Sequence, residues 1–122
     1  MTASRSETIG RLNYVELCVP ATAKAKAFYQ EAFGWAFIDF GPTYAATVSG
    51  DTDIGLQANN PDGPKPPLPV IQVGNLEASL DRALAAGAAL VVPIFSFPGG
   101  RRFHVCDPGG NEIAVMQPDA ET

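Results

Sequence analysis

The sequence predicts an α+β fold: two βαβββ modules forming a curved mixed sheet around an open cavity. Three observations lead there. Segments with strand and helix character follow one order, strand–helix–three strands, twice over. Helix-closing glycines Gly34 and Gly87 lie 53 residues apart, and the strand ends Val19 and Val73 lie 54 apart. A shared order at a near-constant offset marks an internal repeat. Finally, 12 Gly and 11 Pro among 122 residues, with 46% of the chain apolar, suit short elements and tight turns. A helical bundle is disfavoured, because Pro and Gly interrupt helices too often.

Each element has its own reason. Arg11–Val19 alternates as a strand, with Val15, Leu17 and Val19 on an apolar face and Tyr14, Glu16 and Cys18 on a mixed one. Pro20 is placed to open a helix. Ala21, Ala25, Phe28, Tyr29, Ala32 and Phe33 recur at helical spacing, so this helix should bury them, and Gly34 should close it. Strands follow at Trp35–Phe40, Thr43–Ser49 and Ile54–Ala58, separated by turns at Gly41-Pro42 and Gly50–Asp53. Asn59–Pro67 holds four prolines in nine residues and reads as a linker or lid.

The second half repeats the order. Leu68–Val73 is a strand, and Asn75 is the N-cap candidate for a helix over Leu76–Ala86 that buries Leu76, Leu80, Ala83 and Leu84. Strands then follow at Ala88–Phe95, Arg102–Cys106 and Glu112–Gln117, with turns at Pro98-Gly99-Gly100 and Asp107–Asn111. In the second of these turns, Gly109-Gly110 permits positive φ and Asn111 can bond back to the backbone. The predicted organisation is an arm over 1–10, a first module over 11–58, a linker over 59–67 and a second module over 68–118, all in one domain.

Charge and composition exclude several functions. With 8 basic and 13 acidic residues the net charge is −5, and only Arg101 and Arg102 are adjacent cations. A nucleic-acid surface is therefore not expected. The chain has no 18-residue apolar stretch, so no membrane span is expected, and Met1–Gly10 has no apolar signal core. Two cysteines, Cys18 and Cys106, do not make a disulfide scaffold. They are expected to be buried thiols in a protein of the reducing cytoplasm. P-loop and G-x-S-x-G signatures are absent.

The residues Tyr14-Val15-Glu16-Leu17, Phe28-Tyr29 with Phe33-Gly34-Trp35, Gly100-Arg101-Arg102-Phe103-His104 and Asp107-Pro108-Gly109-Gly110-Asn111-Glu112-Ile113-Ala114-Val115 give the chain a family likeness. It resembles the vicinal oxygen chelate superfamily, which includes glyoxalase I, bleomycin-resistance proteins and extradiol dioxygenases. The likeness spans about residues 10–118 and is closest to glyoxalase-related bacterial members. It implies paired βαβββ modules around a cavity for a small organic molecule, and often a homodimer.

In metal-dependent members the ligands sit on the first and last strand of each module. The matching positions here are Tyr14, Gly55, Leu68 and Ala114. Three of the four have no ligating side chain, so no metal cofactor is expected at the usual site. A displaced site would have to draw on Glu16 and Glu112, with Gln72, His104, Asp53 or Gln57 as companions.

Glu16 and His104 are the candidate catalytic residues. A carboxylate on a half-apolar wall suits a general base, and His104, the single histidine, has an ordinary pKa near neutrality. Its ring should share a face with Arg102 and Cys106. Tyr14, Gln72, Arg102 and Glu112 are the candidate ligand-binding residues, because each falls on or beside a strand expected to line the cavity. Arg101 or Arg102 could clamp an anion, and Tyr14, Phe40, Tyr44, Phe95 and Phe97 could line a pocket for a planar ligand. Two functions fit. One is a lyase- or isomerase-like enzyme on a small organic substrate without the usual metal. The other is a metal-free protein that sequesters an antibiotic or toxic compound.

Overall fold

The computed structural model describes residues 9–120. The arm expected over 1–10 lies almost wholly outside the described residues. The element order is β1 (Arg11–Cys18), α1 (Thr22–Phe33), β2 (Phe37–Asp39), β3 (Tyr44–Thr47), β4 (Asp53–Gln57), β5 (Leu68–Gln72), α2 (Leu76–Ala85), β6 (Ala89–Phe97), β7 (Gly100–Cys106) and β8 (Glu112–Pro118). Strand–helix–three strands occurs twice, so the α+β class and the repeat expected from the sequence are both present. The chain packs as two compact units, 13–68 and 69–120, the latter together with 9–12.

In the first unit the strand order is β2-β3-β4-β1. β1 runs parallel to β4, with Tyr14 opposite Asp53 and Glu16 opposite Gly55, while β3 pairs antiparallel with β4. Its buried side chains are small apart from Leu56, namely Ala45 and Ala46. This is why the first helix does not bury as expected: α1 contains no buried residue, and Phe28 and Phe33 stay 57% and 60% exposed. The aromatic rings pack on each other instead, Tyr29 stacking on Trp35 at 5.2 Å between centroids. The helix start also differs from expectation. Ala21 is the N-cap, in extended backbone and without a side-chain cap, and Pro20 lies before it instead of in the first turn. Gly34 closes the helix at φ 73°, where a Cβ would be strained.

In the second unit the order is β5-β8-β7-β6, with β5 parallel to β8 and the other pairs antiparallel. Its core is Val73, Leu76, Phe103, Val105 and Val115, with Ile71, Leu80, Ile94 and Ile113 packed around it. Asn75 caps α2 as expected, its side chain accepting from the Ala78 amide at 3.1 Å. Gln117 Oε1 accepts from the Leu76 amide at 2.8 Å, tying the helix start to β8. Of the apolar residues on α2, Leu76 is buried and Leu84 is 41% exposed, so Leu84 does not join the core. β6 is the outer strand, and its register shifts around Pro93, where a missing amide donor does least harm.

The 107–111 turn is organised by Asp107 more than by Asn111. Asp107 Oδ1 accepts from the Gly109 and Asn111 amides at 2.8 and 2.9 Å, and the Asn111 side chain donates to the same carboxylate. Only Gly110 of the two glycines has positive φ, at 88°. The donors, led by the Asn111 backbone, hold the Asp107 carboxyl below the usual carboxylate range. The two cysteines are free and half-buried, a departure from the fully buried thiols expected.

A depressed folded pKa stabilises above the unfolded value near 4 and loses that contribution as pH falls through the folded value. Asp107→Ala should therefore lower Tm at pH 7, with the gap to the parent narrowing below about pH 4. Thermal melts from pH 7 to pH 2 check this, and a gap constant with pH would contradict it.

Candidate functional site

The β7–β8 pair arranges the polar residues of the second module. Phe103 and Val105 turn into the core at 0% and 1% exposure, so Arg102, His104 and Cys106 take the opposite face. Register adds their neighbours. Val70, Ala114 and His104 form one cross-strand row, and Gln72, Met116, Arg102 and Phe95 the next. Glu112 opposes Cys106 on the same face. Four sequence-predicted site residues, Gln72, Arg102, His104 and Glu112, are thus brought to one face of one module.

His104 and Glu112 form a pair. His104 Nδ1 lies 2.8 Å from Glu112 Oε2. A carboxylate only accepts, so in the neutral ring the proton sits on Nδ1 and Nε2 carries the lone pair. His104 is 8% exposed, and its Nε2 is buried with no hydrogen-bond partner among the described residues. Glu112 keeps 45% of its side chain exposed. The pair has the geometry of a base oriented by a carboxylate. The Phe95 ring lies 5.9 Å from the imidazole.

The two adjacent arginines part ways because the strand alternates. Arg101 points to the helix side and bonds Glu77 at 2.5 and 3.2 Å. Arg102 lies over the Phe95 and Phe97 rings, its guanidinium carbon 5.3 Å from each centroid, with Nε buried and unpartnered. Gln72 sits in the Arg102 row, its Oε1 3.4 Å from Arg11 Nη2.

On the first module, Tyr14 and Glu16 share a face of β1 and are both half-buried. The Tyr14 hydroxyl hydrogen-bonds the Tyr44 hydroxyl of β3, reaching across β4. Gly55 makes this possible: a Cβ there would strike both hydroxyls and the Tyr14 ring. Burial, then the Tyr44 hydroxyl and the charges of Glu16 and Asp53, push the Tyr14 phenol far above its ordinary range. Tyr14 is thus a fixed neutral hydroxyl at any physiological pH. Asp53 is held below the usual carboxylate range: burial opposes this, but bonds from Thr47, Ser49 and Gly50 outweigh it.

A pocket of about 490 Å³ opens in the first module, walled by Val15, Trp35, Val48 and Ile54 with Thr47 and Asp53 at its polar end. Val15 and Ile54 belong to the face opposite Tyr14 and Glu16. None of the six predicted site residues lines it.

The fold can now be set beside known proteins. A family model described as Glyoxalase/Bleomycin resistance protein/Dioxygenase superfamily matches residues 11–115. The chain belongs to this superfamily. No curated protein sequence matches it significantly. Among solved structures, a methylmalonyl-CoA epimerase from Mycobacterium tuberculosis matches with TM-score 0.72 at 18% identity, over 98% of this chain and 94% of its own. A glyoxalase/bleomycin resistance protein/dioxygenase superfamily member from Vibrio splendidus 12B01 matches at 0.67 and 17%, over 90% and 99%. An Mn(II)-bound glyoxalase from Novosphingobium aromaticivorans matches at 0.68 and 19%, over 89% of this chain but 40% of that one. At these identities the likeness is one of fold.

Of the four positions that match the superfamily's metal ligands, only Tyr14 carries a donor atom, so the residues there do not fit the usual metal. Gly55 is covered by two phenols, Ala114 is wholly buried, and Leu68 has no donor atom. Among the described residues no three His, Cys, Asp or Glu side chains group to hold an ion. Three residues matter more than expected. Tyr44 completes the phenol pair, and Phe95 and Phe97 flank Arg102. Their aromatic character at strand ends is visible in the sequence, but their partners are not.

Gly→Ala in a strand normally stabilises, by roughly 0.5–1 kcal/mol. Gly55→Ala should instead destabilise by about 1–3 kcal/mol through overpacking. Adding Tyr44→Phe should restore part of the loss by removing one of the two hydroxyls. Urea unfolding of the three variants measures this, and a stabilised Gly55→Ala would refute the packing described.

Proposed function

We propose that this superfamily member is a lyase- or isomerase-like enzyme acting on a small organic molecule by proton transfer, without the superfamily's usual metal. The observation that supports it is the His104–Glu112 pair: Nδ1 is held at 2.8 Å while Nε2 is buried and has no partner. A buried nitrogen without a hydrogen bond is unfavourable unless a ligand supplies the bond. Nε2 takes a proton from the bound molecule, and the Glu112 carboxylate steadies the resulting imidazolium. The same ring then returns the proton to the product, so no co-reactant is consumed. Because Nε2 is covered in the ligand-free protein, the substrate must displace the side chains over it. Within the first module, Tyr14 and Glu16 are proposed to offer a small molecule a neutral donor and a carboxylate from one face of β1.

We further propose a cytoplasmic homodimer. The exposed apolar residues Phe28, Phe33, Trp35, Ile38, Phe40 and Val48 support it, since a surface patch of this kind marks an interaction face. No helix among the described residues is long and apolar enough to cross a membrane. Light scattering should give twice the 12.8 kDa chain mass, and a monomer at micromolar concentration would contradict the dimer.

Proton transfer is tested by deuterium exchange at carbon in D2O, read by NMR over a panel of small aldehydes, ketones and carboxylic acids. A compound that exchanges should do so equally in chelator-treated protein. His104→Ala should slow it by about 10²–10⁴-fold, and Glu112→Gln by less. Exchange unaffected by His104→Ala overturns the assignment. Ligand-induced thermal stabilisation with no exchange for any compound favours the alternative, a metal-free sequestering protein.

A further inference from the structure

We infer that the ligand of the His104 face carries a carboxylate, and that Arg102 is the residue that receives it. This rests on the reading of His104 as the proton-transfer group and adds the chemical class of the substrate. Four observations combine. First, Arg102 is a cation without a counter-ion: among the described residues no carboxylate pairs with it, whereas Arg101 is bonded twice to Glu77. Second, its guanidinium lies over two aromatic rings, Phe95 and Phe97, each 5.3 Å away. Rings that cover a guanidinium's flat faces leave its in-plane N–H edge as the place for a partner. That edge matches a planar anion with two oxygens, and a carboxylate fits it bidentately.

Third, the Arg102 Nε is buried and unpartnered, as is the His104 Nε2 on the same strand face. Two unsatisfied polar atoms of complementary kind, a donor and an acceptor, ask for one ligand that supplies both partners. Fourth, the spacing suits a small acid. Residues two apart on a strand are about 6.6 Å apart, and both side chains rise from one face. A carboxylate on Arg102 therefore puts carbon atoms a few bonds away within reach of His104. On this face Glu112 lies one row beyond His104, roughly 13 Å along the strands from the Arg102 row. It is also engaged on the far nitrogen of the imidazole. It does not repel an anion seated at Arg102 strongly at that range.

The neighbouring rows say what the rest of the ligand meets. Val70, Val92 and Ala114 flank His104, and Met116 flanks Arg102. Gln72 shares the Arg102 row, so the floor is apolar beside His104 and carries one amide beside the cation, which favours a short or branched acid over a polyhydroxylated one.

The test separates binding from chemistry. Calorimetry is run on the full-length protein with acetate, butyrate, 2-methylbutyrate, phenylacetate and benzoate, each beside its primary amide. At least one carboxylate should bind about tenfold or more tightly than its amide, as charge-assisted bonds require. Arg102→Gln should weaken that carboxylate by about 10- to 100-fold and leave the amide unchanged, with Arg102→Lys between. His104→Ala should weaken a carboxylate and its amide by similar factors, so the carboxylate-to-amide ratio survives, because it removes the base and leaves the clamp. Carboxylates and amides binding alike, no carboxylate binding at millimolar concentration, or an Arg102→Gln variant that keeps its affinity each overturn the inference. If Arg102→Gln fails to fold, the wild-type carboxylate-to-amide ratio and Arg102→Lys decide. Deuterium exchange at the bound acid's carbon is read separately. Carboxylate selectivity without exchange sinks the proton-transfer reading alone, and exchange on neutral compounds without carboxylate selectivity sinks the substrate class alone.

Discussion

The burial of Phe103 and Val105 governs the second module. Each is essentially removed from water, which contributes on the order of 1.5–3 kcal/mol per side chain. A strand that slipped by one residue would place Arg102 and His104 in the core and expose both hydrophobes. Burying an unpaired guanidinium costs far more than any alternative pairing returns. The register of β7 is therefore held by its apolar side, and the positions of Arg102 and His104 follow without any bond of their own fixing the strand. This also explains how polar atoms on the other face can stay unsatisfied. The strand does not rely on them.

The two modules use the same order of elements for different ends. In the second, the face opposite the helix presents a base, an orienting carboxylate and an aromatic-flanked cation. In the first, two phenols meet over a glycine beside the carboxylates of Glu16 and Asp53, and the Tyr14 hydroxyl is locked neutral by burial and by Tyr44. Gly55 and Ala114 occupy matching places in the repeat, and both are small. At Gly55 the lost side-chain volume is refilled by Tyr14 and Tyr44. Ala114 is wholly buried and shares a cross-strand row with His104.

Much of this is legible in the sequence where it depends on local pattern. Alternation places Arg102 and His104 together, Asn75 marks a helix start, and Gly34 a helix end. Short-range pairing is nearly legible too: Glu112 follows His104 by eight residues across one hairpin, within reach once the 107–111 turn is known. Contacts that skip a strand are not. Tyr14 and Tyr44 come from strands separated by β4, and only the absence of a Cβ at Gly55 lets them meet. The exposure of Phe28 and Phe33 is illegible for a different reason. Helical spacing shows which residues share a face but not whether the opposing sheet has volume to receive them. On the other face from Tyr14 the buried side chains of the first sheet are Leu56 and the short Ala45, too slight to cover large rings. The Asp107 carboxylate likewise outcompetes Asn111 as the turn's organiser because two backbone amides converge on one oxygen.

The separation of Arg101 from Arg102 carries the largest consequence for chemistry. Both are adjacent cations in a turn-proximal strand, and composition cannot rank them. Alternation assigns one to each face, and the partners then differ in kind. Arg101 meets a carboxylate at the start of α2, where it neutralises charge at the surface and is screened by solvent. Arg102 meets two hydrocarbon rings, which solvate a guanidinium's faces but cannot neutralise it. A cation held this way keeps its charge available within a half-buried setting, where an incoming anion interacts more strongly than it would in bulk water. The same strand thus makes an ion pair on one side and holds an aromatic-flanked cation on the other. The division follows from the two-residue period of the β-strand.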